Sequence, residues 1–308
     1  MQVYLPIAEM AVQAETILMV SGLVGFLSGV FGIGGGFLTT PFLIFIGIPP
    51  AIAVGTQTSQ MVASSTAGVL GHFKKAHVDV KVGLFMLSGG LVGSVVGTGI
   101  FALLKSLGQI DFVISFFYII LLGVIGVLML SESVKSLFFK PKGMRKTFHS
   151  QKTAPMTGNL PFKTRFPRSN LYVSVLVPLG LGFVGGILVS VLGIGGGFLL
   201  VPAMIYILGM PTALVVGTSL FQMVFTTAFS TMMHAGINQT VDVTLAVVLI
   251  VGGVIGAQIG VSFARFIKGV TARLVLALIV LAVCLQLIGQ MFLEPDELYS
   301  TFVLAGAG

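Results

Sequence analysis

The residues best suited to chemistry form a glycine-rich motif that occurs twice. The sequence GIGGGFL covers residues 32–38 and returns unchanged at residues 193–199, each copy after a long apolar stretch. Glycine readily adopts positive φ angles and leaves backbone N–H groups open to a ligand. A helix that starts at such a motif also presents about half a positive charge at its N-terminus. Two motifs that face each other would bind an anion, and the predicted substrate-binding glycines are Gly34, Gly35, Gly36, Gly195, Gly196 and Gly197.

A polar helical face follows each glycine motif. Thr56, Gln60 and Ser64 recur every four residues, which places them on one side of a helix. Neutral hydroxyl and amide groups can replace part of an anion's hydration without holding the ion too tightly. The same groups can instead hydrogen-bond helices to each other. We predict substrate contacts for this face and for its second copy, formed by Thr218, Gln222 and Thr226.

Two histidines and two aspartates also occupy equivalent positions in the two copies. His72 and His234 lie in apolar surroundings, and an imidazole that titrates near neutral pH could serve in gating or proton coupling. A hydrogen-bonded histidine at the membrane interface is the alternative. Asp79 and Asp242 stand where a helix is expected to begin, so we predict that they cap these helices.

The elements that must position these residues are apolar segments, five in each copy. The second of each set has about 13 residues, whereas a helix needs about 20 to cross a bilayer. Each copy therefore crosses three or five times, and an odd repeated unit must be inverted. The predicted fold is an all-α polytopic membrane protein with two inverted repeats and eight to ten segments: 15–31, 36–48, 51–72, 82–104, 110–131, 171–192, 197–209, 213–235, 243–267 and 271–292.

Composition agrees with a membrane protein. The mean hydropathy is +1.10, and only 8% of the residues are charged, against about a quarter in soluble domains. Of the 16 Lys and Arg residues, nine lie between Lys135 and Arg168, so the net charge of +7 is the property of one loop and does not point to nucleic acid. Cys284 is the only cysteine, which excludes an intramolecular disulfide and a cysteine metal site. No catalytic, metal or cofactor motif is recognisable, so an enzyme is not expected.

Charge distribution predicts the domain organisation and orientation. A first repeat (1–132) and a second repeat (171–308) flank a basic linker (133–170), which we expect to be a disordered cytoplasmic connector. Binding of anionic lipid headgroups is the alternative role for this linker. Lys74, Lys75 and Lys81 fall on the same predicted side, whereas the equivalent loop of the second copy, residues 235–243, has neither Lys nor Arg. Both termini are then predicted outside.

Runs of glycine in the fourth segment of each copy, residues 89–97 and 252–260, have GxxxG spacing. Such spacing lets helix backbones approach closely. We expect packing within the monomer or between the subunits of a homo-oligomer.

The duplicated GIGGG-F-L-x-x-P motif, followed by Val-Gly-Thr and a Ser/Thr/Gln-rich helix ending in histidine, resembles the sulfite exporter TauE/SafE family of membrane permeases. The resemblance covers residues 15–130 and 171–292. It implies a multi-pass protein of the bacterial cytoplasmic membrane that moves sulfite, sulfoacetate or related anions.

The resemblance and the residues together predict a secondary transporter that exports small sulfur-containing anions, bound between the two glycine loops. No carboxylate lies in the middle of a predicted span, and an interior-negative potential alone drives an anion outward. Proton-coupled uptake or exchange of oxyanions or carboxylates is an alternative. A membrane sensor or an intramembrane enzyme is another.

Overall fold

The computed structural model describes residues 2–31, 36–138, 161–169, 171–195, 197–264 and 269–292. In the first half of the chain a β-hairpin precedes five helices: β1 (Gln2–Leu5), β2 (Met10–Gln13), α1 (Ala14–Phe31), α2 (Gly36–Phe45), α3 (Pro50–Lys74), α4 (Val80–Ser106) and α5 (Ile110–Phe138). The second half repeats this order with β3 (Lys163–Phe166), β4 (Leu171–Ser174), α6 (Leu176–Leu192), α7 (Gly197–Tyr206), α8 (Thr212–Met233), α9 (Val243–Ala264) and α10 (Gly269–Phe292). A π-helical turn, His234–Asn238, extends α8.

The prediction of an all-α polytopic membrane protein is confirmed. Among the described residues, five helical stretches are long and apolar enough to cross a bilayer: Val80–Ser106, Ile110–Ser131, Leu214–Asn238, Val243–Gly260 and Leu274–Met291. Helix α3 is as long as these but is not among them, because its Thr, Gln and Ser residues reduce its hydropathy. The short helices α2 and α7 have 10 residues each, about 15 Å of helix, which is half the thickness of a hydrocarbon core of about 30 Å.

Two close helix pairs join the halves through glycine. Helix α4 packs on α6, where Gly93 lies directly against the Phe183 carbonyl, and α9 packs on α1, where Gly256 lies against the Gly22 carbonyl. A methyl group at either glycine would overlap the facing backbone. The glycine runs therefore pack helices within the chain, which confirms the expectation of packing within the monomer. A homo-oligomer formed through the same runs stays a prediction.

Equivalent helices of the two halves run antiparallel where they meet. Thr231 of α8 donates a hydrogen bond to Thr58 of α3 over 2.9 Å, whereas Gly68, further along α3, faces Leu220, which comes earlier in α8. Helices α5 and α10 show the same relation, because Gly123 faces Cys284 and Gly126 faces Leu281.

The two β-hairpins were not predicted. In each of them one face is buried: Phe166 and Val173 pack in a cluster with Val82 and Met204, and Leu5 and Val12 pack in the equivalent cluster around the first hairpin. The expectation of a disordered connector is wrong for residues 133–138, which continue α5, and for residues 161–169, which form most of the second hairpin. Within Lys163–Phe166 the outward positions are Lys163 and Arg165, and the buried Phe166 is the side chain that holds this strand on α4 and α7. Linker residues 139–160 and 170 lie outside the described residues.

Candidate functional site

The two glycine motifs are in direct contact at the start of the short helices. Gly36 is the first residue of α2, and a Cβ atom placed on it would lie 3.1 Å from the backbone nitrogen of Gly195 and 3.2 Å from the carbonyl oxygen of Gly193. Gly197 is the first residue of α7. Gly34, Gly35 and Gly196 lie outside the described residues. The remaining predicted glycines, Gly36, Gly195 and Gly197, are therefore gathered around one point between the halves.

Two methionines fill the space around this contact. The Sδ atom of Met61 lies 2.6 Å from the position that a Cβ on Gly36 would take, and the methyl groups of Met61 and Met223 crowd the equivalent position on Gly195. The backbone N–H of Gly197 donates to Met223 Sδ over 3.2 Å. Both side chains are buried. The two thioethers thus occupy the place where the predicted site would receive an anion.

The two methionines recur at equivalent positions of the sequence repeat. The triplet Gln-Met-Val recurs at residues 60–62 and 222–224. The predicted substrate contacts included only polar residues, Gln60 and Gln222, and not the methionine that follows each of them. On a helix, adjacent residues point in directions about 100° apart, so the methionines and the glutamines face different neighbours.

The predicted polar faces turn toward the glycine-rich helices of the opposite half. The Gln60 amide packs against Gly253 of α9, and a Cβ on Gly90 of α4 would lie 2.7 Å from Gln222 Nε2 and 2.8 Å from Thr226 Oγ1. Gln222 Nε2 donates to Thr226 Oγ1 over 2.8 Å, and that hydroxyl donates to the Gln222 carbonyl. Ser64 is half-buried and donates to the Met61 carbonyl of its own helix. Whether these residues contact a substrate stays a prediction.

Several buried amide oxygens of these helices have no hydrogen-bond partner among the described residues. They belong to Gln57, Gln60 and Gln222. Buried polar atoms in proteins nearly always have a partner from the protein or from ordered water. Because a glutamine can exchange its oxygen and nitrogen by rotation, each amide is able to offer either a donor or an acceptor to a ligand or a water molecule.

Thr56 and Thr218, the first members of the polar faces, hold the two halves together. The backbone N–H of Asp242 donates to Thr56 Oγ1 over 3.0 Å, and that of Asp79 donates to Thr218 Oγ1 over 2.9 Å. The predicted capping role of the aspartates is confirmed: Asp79 Oδ1 accepts from the backbone N–H of Lys81 and Val82, and Asp242 Oδ1 accepts from that of Leu245.

The two histidines have different environments. His234 is fully buried, with Nε2 2.8 Å from the Ser190 carbonyl oxygen and Nδ1 3.0 Å from Asn238 Nδ2. Because a carbonyl accepts and an amide nitrogen donates, Nε2 carries the proton in this arrangement. His72 is half-buried, and its Nδ1 has no partner among the described residues. The two histidines are thus equivalent in the sequence repeat but differ in their hydrogen bonds.

Comparison with known proteins identifies the family. The model of the family described as Sulfite exporter TauE/SafE matches residues 17–287, which include both glycine motifs, both polar helices and both methionines. The chain belongs to the TauE/SafE family. The resemblance seen in the sequence is thus confirmed, and the protein is a multi-pass membrane protein of a transporter family.

TauE/SafE relatives with related sequences come from several bacteria. The chain is 29% identical over 214 residues to the probable membrane transporter protein YunE of Bacillus subtilis, a match that covers 67% of this chain and 72% of YunE. It is 31% identical over 204 residues to a probable membrane transporter protein of Xylella fastidiosa strain 9a5c, which covers 66% of each chain. No solved structure matches the chain.

Proposed function

We propose that this TauE/SafE chain is a secondary permease that exports small sulfur-containing anions such as sulfite or sulfoacetate. The observation that carries the proposal is the contact between Gly36, the first residue of α2, and Gly195, which lies two residues before α7 begins. Two helix N-termini that converge on one point create a positive potential and supply free backbone N–H groups. Broken helices at corresponding positions of two repeats are typical of the substrate site of a secondary transporter.

The packing of the two halves supports an inverted repeat. Helices α3 and α8, and likewise α5 and α10, are equivalent in sequence order and pack antiparallel. Inversion of one half relative to the other produces such a relation. Rocking of the halves about their shared contact would expose the site alternately to the two sides of the membrane.

In the conformation described, Met61 and Met223 occupy the proposed site. A methionine side chain has three rotatable bonds and adapts to irregular spaces. An arriving anion therefore displaces the two thioethers, and the Gly197 N–H that now bonds Met223 Sδ becomes a donor to the anion. The amides of Gln60 and Gln222, one helical position away, replace part of the hydration that the anion loses, because their Oε1 atoms have no partner among the described residues and each amide can rotate to present its N–H groups.

The distribution of carboxylates favours export driven by membrane potential. Asp79, Asp111 and Asp242 are located at or next to the first turn of a helix, where they accept hydrogen bonds from backbone N–H groups. None of them lies at mid-span to relay protons. An interior-negative potential drives each negative charge outward by about 2.3 kcal/mol per 100 mV. We place the chain in the bacterial inner membrane with the central linker cytoplasmic and both termini outside, as the positive-inside rule requires.

The test is transport by the purified chain in proteoliposomes. Sulfite and sulfoacetate efflux is measured with a potassium diffusion potential and a pH gradient imposed separately. Flux driven by the potential alone is the expected result. Flux that needs a pH gradient would replace electrogenic export with proton coupling, and absence of flux for every anion tested would overturn the proposed substrate class.

A further inference from the structure

The two β-hairpins share one architecture but present different outward faces. In the second hairpin Lys163, Arg165 and Tyr172 point outward, with Arg165 and Tyr172 directly opposite each other on the two strands. The equivalent outward positions in the first hairpin are Gln2, Tyr4 and Ala11. The second hairpin therefore displays two cations beside an aromatic ring, whereas these outward positions of the first hairpin carry an aromatic ring and no cation.

Further cations surround the second hairpin. Lys81 Nζ donates to the Arg165 carbonyl over 2.9 Å and lies 5.4 Å from the centre of the Phe166 ring. In the turn of the hairpin Arg168 is exposed, and Ser169 Oγ donates to Asp79 Oδ2 at the start of α4. Lys74 ends α3 and Lys75 follows it in the connection to α4, at the same end of the helices. This end of the molecule is strongly positive.

The opposite end of the helices, where the first hairpin lies, carries much less positive charge. The first hairpin carries Glu9 in its turn, and the connection that precedes α9 contains no Lys or Arg. Lys105 reaches that end and donates to the Asn238 carbonyl. The first hairpin is attached in the same way as the second, since the backbone N–H of Ile7 donates to Asp242 Oδ2.

We propose that the outward face of the second hairpin binds the anionic phospholipid headgroups of the adjacent leaflet. Clustered Lys and Arg residues next to a membrane attract anionic lipids, and their N–H groups hydrogen-bond phosphate oxygens. Tyrosine rings favour the level of the headgroups, and Tyr172 and Phe162 are 55% and 76% exposed. Cations, exposed rings and the ends of apolar helices occur together here, which suits a charged bilayer surface better than a soluble partner. This proposal does not depend on the transported substrate.

The absence of tryptophan from the chain allows a direct test. Tyr172→Trp places one fluorophore on the second hairpin, and Tyr4→Trp places a matched one on the first, at 61% exposure of the original side chain against 55%. Each full-length variant is reconstituted into phosphatidylcholine vesicles containing phosphatidylglycerol, with bromine on either the neutral or the anionic lipid at equal mole fraction. We expect quenching of the Tyr172→Trp protein to be at least about twofold stronger with brominated anionic lipid, and no such preference for the Tyr4→Trp protein.

Charge removal decides whether the hairpin causes the preference. K163Q and R165Q together, in the Tyr172→Trp background, should bring the ratio of the two quenching values close to one. A second variant neutralises Lys140, Lys142, Arg145, Lys146 and Lys152 of the linker and should leave the preference in place. The proposal would be overturned if the ratio of quenching by anionic and neutral lipid were the same for both hairpins. It would also be overturned if the preference for anionic lipid disappeared only when the linker is neutralised.

Discussion

The hydroxyl of Thr218 accepts a hydrogen bond from the backbone N–H of Asp79 over 2.9 Å, and both residues are buried. Asp79 belongs to the first half of the chain and Thr218 to the second. Thr56 and Asp242 form the same contact over 3.0 Å with the halves exchanged. In each case the aspartate caps a helix with Oδ1, while its Oδ2 holds the turn of the opposite half's hairpin. Two equivalent connections thus fasten the halves together.

Removal of either threonine hydroxyl should destabilise the protein. Thr218→Val leaves the buried N–H of Asp79 without an acceptor, which costs about 1–3 kcal/mol, and Thr56→Val should cost about the same because its contact is equivalent. Thermal unfolding in detergent measures the loss. Thr218→Ser and Thr56→Ser keep the hydroxyl and are the matched controls. If valine and serine variants unfolded at the same temperature, the hydrogen bonds would contribute nothing.

The two histidines should respond differently to substitution. His234→Ala removes partners from the Ser190 carbonyl and from Asn238, and it removes a ring that packs against Phe101 at 4.7 Å between centroids. We expect a loss of about 2 kcal/mol or more, against about 0.5 kcal/mol for His72→Ala. Equal losses in thermal unfolding would contradict this assignment of a structural role to His234 alone.

His72 is the better histidine for a test of proton coupling, because its substitution should cost less stability than that of His234. The imidazole of His72 is half-buried, and its Nδ1 has no partner among the residues that the structure describes, so His72→Gln should fold normally. Under the proposed electrogenic export, the dependence of sulfite flux on pH should be the same in this variant and in the unsubstituted chain. Loss of a pH-gradient-driven flux on substitution would instead favour the proton-coupled alternative.

The sequence predicted the helices closely because their causes are local. The starts of the predicted apolar segments lie within two residues of the described helix starts, except for segment 171–192, where residues 171–174 form β4 and α6 begins at Leu176. The hairpins were missed because strands of four residues give too short an alternation to distinguish from a polar linker. Their stability comes from burial of Phe166 and Val173 against helices distant in sequence.

The candidate site was only partly predictable for a similar reason. The repeat located Gly36, Gly195 and Gly197, and the structure brings them together. The direction of the polar faces depends on how α3 and α8 rotate about their own axes, which the packing of Gly253 and Gly90 against the glutamines determines. Spacing along one helix contains no information on that rotation. The position of Met61 and Met223 between the glycine motifs is therefore visible only in the assembled structure.

Glycine substitutions on α4 should separate packing positions from free ones. A Cβ on Gly93 would overlap the Phe183 carbonyl of α6, whereas one on Gly99 would meet no atom within 4 Å. Gly93→Ala should cost about 1–3 kcal/mol or more, because the facing atoms are backbone and cannot turn aside. Gly99→Ala should leave thermal unfolding and the yield of monodisperse protein unchanged. A tolerated Gly93→Ala would mean that α4 and α6 are further apart than described.

The last prediction concerns the crowded centre between α2 and α7. In Gly195→Ala the new methyl group meets only the flexible ends of Met61 and Met223, so the variant should fold. It should nevertheless transport sulfite about tenfold more slowly, because the new methyl group fills part of the space that the anion must enter, a barrier increase of about 1.4 kcal/mol. Met61→Ala should restore part of that flux in the double variant, and alone it should raise the flux above that of the unsubstituted chain. Strictly additive effects of the two substitutions would show that Met61 does not close the site, since residues in contact are expected to be coupled.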